Sequence, residues 1–275
     1  MTRAELDGVV EWAAAEGWNP GWHDADAFHA TDPSGFLLGL IDGEPVAAIS
    51  AVRYGKHFGF IGLYIVRPGF RGRGHGLSIW TAAMQRLAGR TIGLDGVVAQ
   101  QESYRRSGFE LAWNNVRYEG LARPRSGLDG AIEQVDPGRV ETSGLLAYDA
   151  AFFPDDRRRF VRRWVAQPRS TALMIRRDAQ VAGYGVIRPC RVGFKVGPLF
   201  ANDAESADRL LRALISRAEP GGPVQLDIPT VNSSALDLVQ AHAMRPVFRT
   251  ARMYAGQAPD LPLERMFGIT TYELG

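Results

Sequence analysis

Cysteine is almost absent: Cys190 stands alone among 275 residues. That excludes an intramolecular disulfide framework and a cysteine-built zinc cluster. Lysine is nearly missing as well. Lys56 and Lys195 are the only two among 32 basic residues, so arginine carries the positive charge, and its planar fork suits phosphate. No long apolar run occurs. The richest, residues 36–41, is strand-sized, far below the ~20 residues a membrane helix requires. The opening residues MTRAELDGVV contain no basic stretch followed by an apolar one, so no secretion signal is expected and the cytoplasm is the expected location. Neither charge dominates: 32 basic residues face 30 acidic ones, for a net charge of +2, too balanced to argue for nucleic acid. The five histidines, 23, 29, 57, 75 and 242, follow no metal-ligand spacing, and no metal is expected.

What is present is ordinary globular material, 45% hydrophobic and 23% charged, at a length that suggests about two domains. Thr2-Arg3-Ala4-Glu5 has the form of a capping box, and Leu6, Val9, Val10 and Ala13 recur behind it at helical spacing. Strands are expected at 35–41, 45–53, 58–66, 92–98 and 109–119, with helices after residue 76 and at 101–107. Residues 121–130, rich in Gly, Pro and Arg, read as a linker. The same order of elements then returns. Helices are expected at 140–150 and 157–165, strands at 171–177, 181–188 and 192–200, a helix at 204–218, a strand at 224–228, a helix at 233–242 and a strand at 245–254. Residues 256–275 carry no assignment.

The second half also repeats the first in register. Val46-Ala47 and Val181-Ala182, Arg53 and Arg188, Gly62 and Gly197, Phe109 and Met244, and Arg117 and Arg252 all keep one constant offset. Duplication of one domain explains this better than chance does. The expected division is 1–122, 131–255 and a tail, 256–275.

The stretch from Gly62 to Gly76 reads strand, glycine-rich turn, helix start. Gly72, Gly74 and Gly76 allow positive φ and close approach of a ligand. A helix start leaves about four N–H groups unpaired and carries roughly half a positive charge. Arg71 and Arg73 add side-chain charge, and the whole suits a phosphate or diphosphate. The spacing fails the dinucleotide fingerprint, and the Gly-Lys-Ser/Thr of a P-loop is missing. What remains is Arg71-x-x-Gly74-x-Gly76, with Tyr104-Arg-Arg-Ser-Gly108-Phe109 downstream.

These two motifs resemble those of the GNAT (Gcn5-related) N-acetyltransferases, whose acyl-CoA loop is R/Q-x-x-G-x-G/A and whose second signature is Y-x-x-x-G-F. The likeness covers residues 1–120 well, and the whole chain resembles a bacterial branch in which a degenerate GNAT-like domain follows the first. The resemblance implies an α/β (α+β) fold of tandem GNAT units, each a mixed, mainly antiparallel central sheet flanked by helices. It implies acetyl-CoA as cosubstrate, with its diphosphate on the backbone of Arg71, Gly72, Arg73, Gly74, His75 and Gly76. Its pantetheine arm would pair with a splayed strand end at Tyr64, Ile65 and Val66. Tyr104 would lie at the sulfur, protonating the leaving thiolate or hydrogen-bonding it. The activity implied is direct transfer of acetyl to a primary amine, of a small molecule rather than a protein, with no nucleic acid or membrane partner. The alternative is a non-catalytic acyl-CoA-binding sensor or scaffold. Either a monomer or a homodimer fits.

Two gaps remain. An alkyl ammonium has a pKa near ~10.4, so a group must take its proton, but the strand at 58–66 holds no carboxylate. Asp24, Asp26, Glu102, Asp155 and Asp156 are the candidates elsewhere. Trp12, Trp18 and Trp22 are candidate acceptor-pocket residues, as is the stretch 152–156. In the second copy, Ser206, Arg209 and Val239 stand where the first has Arg71, Gly74 and Tyr104, so one CoA per chain is expected.

Overall fold

The computed structural model describes residues 1–123 and 130–275; most of the stretch read as a linker lies outside them. Helix α1 (Arg3–Ala15) begins with the expected capping box. Thr2 Oγ1 accepts from Glu5 N at 3.2 Å, and Glu5 Oε2 accepts from Thr2 N at 2.6 Å. Its buried stripe is Leu6, Val9, Val10 and Ala13. A second helix, α2 (Asp24–Thr31), follows in a stretch for which the sequence predicts no helix. Its eight residues are too few for a clear amphipathic period, and packing against a helix of the other half holds it. Then come β1 (Phe36–Ile41), β2 (Glu44–Tyr54), β3 (Phe58–Val66), α3 (His75–Arg86), β4 (Thr91–Val97), α4 (Gln101–Arg106) and β5 (Phe109–Leu121).

The second half holds β6 (Ile132–Gln134), α5 (Leu145–Asp149), α6 (Arg158–Val165), β7 (Thr171–Arg177), β8 (Gln180–Pro189), β9 (Phe194–Ala201), α7 (Ala204–Ile215), β10 (Pro223–Pro229), α8 (Ser233–Ala241), β11 (Arg245–Ala255) and β12 (Met266–Gly268). The helix expected at 140–150 is shortened to α5, because Gly144, at φ +82°, sets its start.

All the strands join one sheet, in the order β1-β2-β3-β4-β11-β5-β10-β9-β8-β7-β6, with β12 added beside β9. Most neighbours are antiparallel; β3 with β4 and β9 with β10 run parallel. The architecture is therefore mixed α/β with a mainly antiparallel sheet flanked by helices. Each copy's last strand pairs with the other copy's sheet. Strand β11 lies between β4 and β5, and β5 lies between β11 and β10. The linear division of the chain thus crosses over in space. One hydrophobic cluster spans both halves, from Leu6 and Phe28 to Trp164 and Leu274, while two others lie under α3 and under α7 with α8.

The segment with no sequence assignment is an integral part of this arrangement. From Met266 to Gly275 every residue is buried. Residues 266–268 form β12, Tyr54 donates to the Leu274 carbonyl at 2.9 Å, and the Arg157 guanidinium donates to Thr270 Oγ1. Apolar periodicity could not reveal it, since only three residues are strand and the rest is an irregular path fitted to a cavity wall.

Candidate functional site

Strands β3 and β4 are paired only from Phe58↔Thr91 to Ile61↔Leu94. Past that point they part. On its other side, β3 stays paired with β2 but carries one extra residue, with Ser50↔Gly62 followed by Ala48↔Ile65. Leu63 sits inside that bulge at φ +46°. A bulge bends a strand and increases its twist, which turns the end of β3 away from β4. The opening is the mouth of a cavity of about 450 Å³, lined by Ile61 to Val66 on one side and Leu94 to Val97 on the other.

Tyr64, Ile65, Val66, Arg71 and Tyr104 line this cavity; Gly72, Arg73, Gly74, His75 and Gly76 do not, and instead build the turn at the start of α3. Gly72 and Gly74 have φ of +75° and +84°, the left-handed region that favours glycine. Gly74 is the N-cap of α3 and gives no side-chain cap. Among the described residues, no backbone N–H from Gly72 to Leu77 reaches a protein acceptor. Orphaned donors at a helix start, together with the helix dipole, are the physical basis of an anion site, and this turn follows directly on Arg71, which lines the cavity. Gly76 has a different reason to be glycine: a Cβ there would lie 2.7 Å from the Tyr64 hydroxyl oxygen.

The two arginines differ. Arg71 Nε donates to the Val66 carbonyl at 2.8 Å, and its guanidinium also bonds Glu16, the residue that ends α1, so it ties the strand end to the end of the first helix. Arg73 is exposed over the Phe70 ring. The His75 ring meets the edge of the same phenyl.

Tyr104, on α4, is buried with its ring 5.6 Å from that of Trp80. It lies so close to β4 that no Cβ fits at Gly96. Its hydroxyl makes no hydrogen bond to protein among the described residues. Burial pushes its pKa up to about 12, with Tyr64 adding to the effect. It therefore holds its proton through the neutral range.

None of the five carboxylates singled out from sequence lines the cavity. Asp24 is buried in an ion pair with Arg188 and accepts from Gly21 N. Asp26 pairs with Arg3, and Glu102 is exposed beside Arg105. Asp155 accepts from His57 N, and Asp156, paired to Arg158, is held low, at about 2. Of the three tryptophans, only Trp18 lines the cavity; Trp12 lies near Arg67, and Trp22 is exposed under Arg191. Phe153 packs into the core on Tyr54 and Phe58 rather than facing an acceptor.

The second half reaches the cavity by other residues: Phe248 and Thr250 from β11, and Tyr272 and Glu273 from the tail. A search for carboxylates near the loop in sequence could not find these, because strand exchange and the returning tail bring them from more than 150 positions away.

The corresponding place in the second half is filled. The start of α7 is capped by Asp203, whose carboxylate accepts from Ser206 N at 2.8 Å. Strand β9 parts from β10 after Val196↔Leu226. Its released stretch is paired instead with β12, through Met266↔Phe200 and Gly268↔Leu199.

Comparison with known proteins speaks to the family and the fold. Residues 6–109 match the acetyltransferase (GNAT) family, and residues 145–268 match a second description, acetyltransferase (GNAT) domain. Among curated proteins, the holothin acyltransferase of Pseudoalteromonas sp. (strain SANK 73390) is 28% identical over 267 residues, covering 97% of this chain and 90% of that protein. Among solved structures, a putative acetyltransferase from Pyrococcus horikoshii superposes with a TM-score of 0.82 at 23% identity, covering 100% of this chain and 94% of that one. A tandem GNAT protein from the clavulanic acid biosynthesis pathway superposes at 0.57 with 14% identity, covering 94% and 98%. At these identities the two structures speak for the fold.

Proposed function

The chain belongs to the GNAT acetyltransferase family, and from that premise we propose that it transfers an acetyl group from acetyl-CoA to the primary amine of a small molecule. The observation that carries the proposal is the uncapped start of α3, with its unpartnered N–H groups, next to the opening between β3 and β4. Acetyl-CoA supplies the activated acyl group as a thioester. The turn from Arg71 to Gly76 binds the diphosphate through backbone amides. The free edge of Tyr64, Ile65 and Val66 holds the pantetheine arm as an added strand.

Tyr104 reaches the same cavity and keeps its proton at neutral pH. It is placed to donate to the leaving thiolate as the amine attacks. A tyrosine with a free hydroxyl in the cavity favours an enzyme over a non-catalytic binding module. The small-molecule acceptor is supported by the relative named for acylating holothin; Trp18, Phe248 and Tyr272 give the cavity aromatic walls. One cosubstrate per chain follows from the filled site in the second half.

The test is release of free thiol from acetyl-CoA across a panel of alkyl amines, with acetylated product identified by mass. Turnover on at least one small amine is expected. CoA binding without turnover on any member would favour the binding module.

A further inference from the structure

We propose that Glu273 takes the proton from the acceptor amine, so that the acceptor is one that arrives as an ammonium. This rests on the acyl-transfer reading above. Three carboxylates line the cavity, Glu16, Asp95 and Glu273. Glu16 is bound to Arg71. Asp95 has both oxygens occupied: Arg252 holds it bidentately at 3.0 and 2.6 Å, and Asn115 donates to Oδ1 at 2.7 Å.

Glu273 differs from both. It is 5% exposed, yet among the described residues it forms no ion pair, and its one side-chain partner is the Thr271 hydroxyl on Oε2. The other buried acids of this protein, Asp24, Asp149 and Asp227, are each held by an arginine. Arg117 and Arg188 lie near enough to feel the charge of Glu273, but they are hydrogen-bonded to Asp227 and Asp24; Oε1 therefore has no cation bonded to it, and an ammonium seated there would supply one.

Position supports the role. The Glu273 carbonyl packs so tightly on Gly62 that no Cβ fits there. Gly62 is the first residue of β3 past its pairing with β4. Glu273 therefore stands where the strands begin to part, in the cavity that Tyr104 also lines. Its carbonyl takes the space a β3 side chain would need, and its carboxylate comes from the tail rather than from the strand.

The proton balance closes with these two groups. The ammonium gives one proton to Glu273 Oε1, and the nitrogen lone pair forms the C–N bond to the thioester carbonyl carbon. The C–S bond then breaks, the sulfur leaves with its electron pair, and Tyr104 protonates it. The attacking nitrogen loses its second proton as the amide forms, and that proton restores Tyr104 through solvent. The proton held on Glu273 also passes to solvent. The products are the amide, the free thiol and one proton.

The experiment uses the full chain, acetyl-CoA and the best alkyl amine of the panel, with CoA affinity measured in parallel by calorimetry. Glu273→Gln is expected to lower kcat by about 100-fold or more, within the range for a lost general base, while CoA affinity stays within twofold. Glu273→Asp is expected to keep part of the rate. Glu273→Ala is expected to regain rate as formate is added. Wild-type rates in Glu273→Gln, a parallel loss of CoA affinity, or no rescue by formate would each overturn the proposal while the transferase reading stands. A wild-type chain that binds CoA but acetylates no amine would overturn both.

Discussion

Arg252, on β11 of the second half, clasps Asp95, on β4 of the first, with two hydrogen bonds of 3.0 and 2.6 Å in a fully buried setting. The two residues are direct register partners across β11 and β4. Arg117 and Asp227 repeat the arrangement across β5 and β10, at 2.6 and 2.9 Å. Each pair bolts one copy's last strand into the other copy's sheet, at the two places where the chain crosses over.

That relationship predicts stability. Removing one partner leaves a buried charge unpaired, a loss of about 3–5 kcal/mol. Arg252→Met is expected to lower the urea midpoint accordingly. Pairing it with Asp95→Leu is expected to recover much of the loss, since apolar replacement of a whole buried pair is often neutral. Because the sheet is shared, wild type is expected to unfold in one transition by circular dichroism and tryptophan fluorescence alike. Two separated transitions would show that the halves fold independently.

Gly74→Asp places a carboxylate where the diphosphate is expected and puts a side chain at φ +84°. Its backbone strain is on the order of 1–2 kcal/mol, which a folded domain tolerates. CoA affinity is expected to fall by more than about 100-fold, with the far-ultraviolet spectrum preserved. Unchanged calorimetric affinity would remove the loop from the account.

Tyr104→Phe is expected to lower kcat by about 100-fold, at the lower end of acid catalysis, with little change in CoA affinity. The pH profile checks the same group. Burial raises this phenol from 10 to about 12, so its neutral form is favoured in the folded chain. Its contribution to stability is complete below pH 10 and is lost as pH rises through about 12. As an acid it must keep its proton, so no fall in rate from Tyr104 is expected below about pH 11. A descending limb near pH 10 that Tyr104→Phe abolishes would contradict the burial argument.

How much of this was legible in the sequence depends on range. The capping box of α1, the strand–turn–helix with Gly72, Gly74 and Gly76, and the helix bearing Tyr104 all rest on contacts a few residues apart, and they form as expected. The constant offset between the halves led to Arg117 and Arg252, which turned out to be equivalent members of two ion pairs. The exchange of β5 and β11 was not legible, since a strand's own pattern does not name its neighbour. Nor was the tail. Tyr272 and Glu273 line the cavity because the chain returns beside Gly62, and no local periodicity records a return.

A crystal structure with CoA bound tests the central claim most directly. The account predicts one CoA per chain, its diphosphate oxygens accepting from backbone N–H groups between Arg71 and Gly76, and its sulfur in the cavity beside Tyr104. A diphosphate bound anywhere else, or a CoA seated at Asp203 on the second half in place of the first, would contradict it.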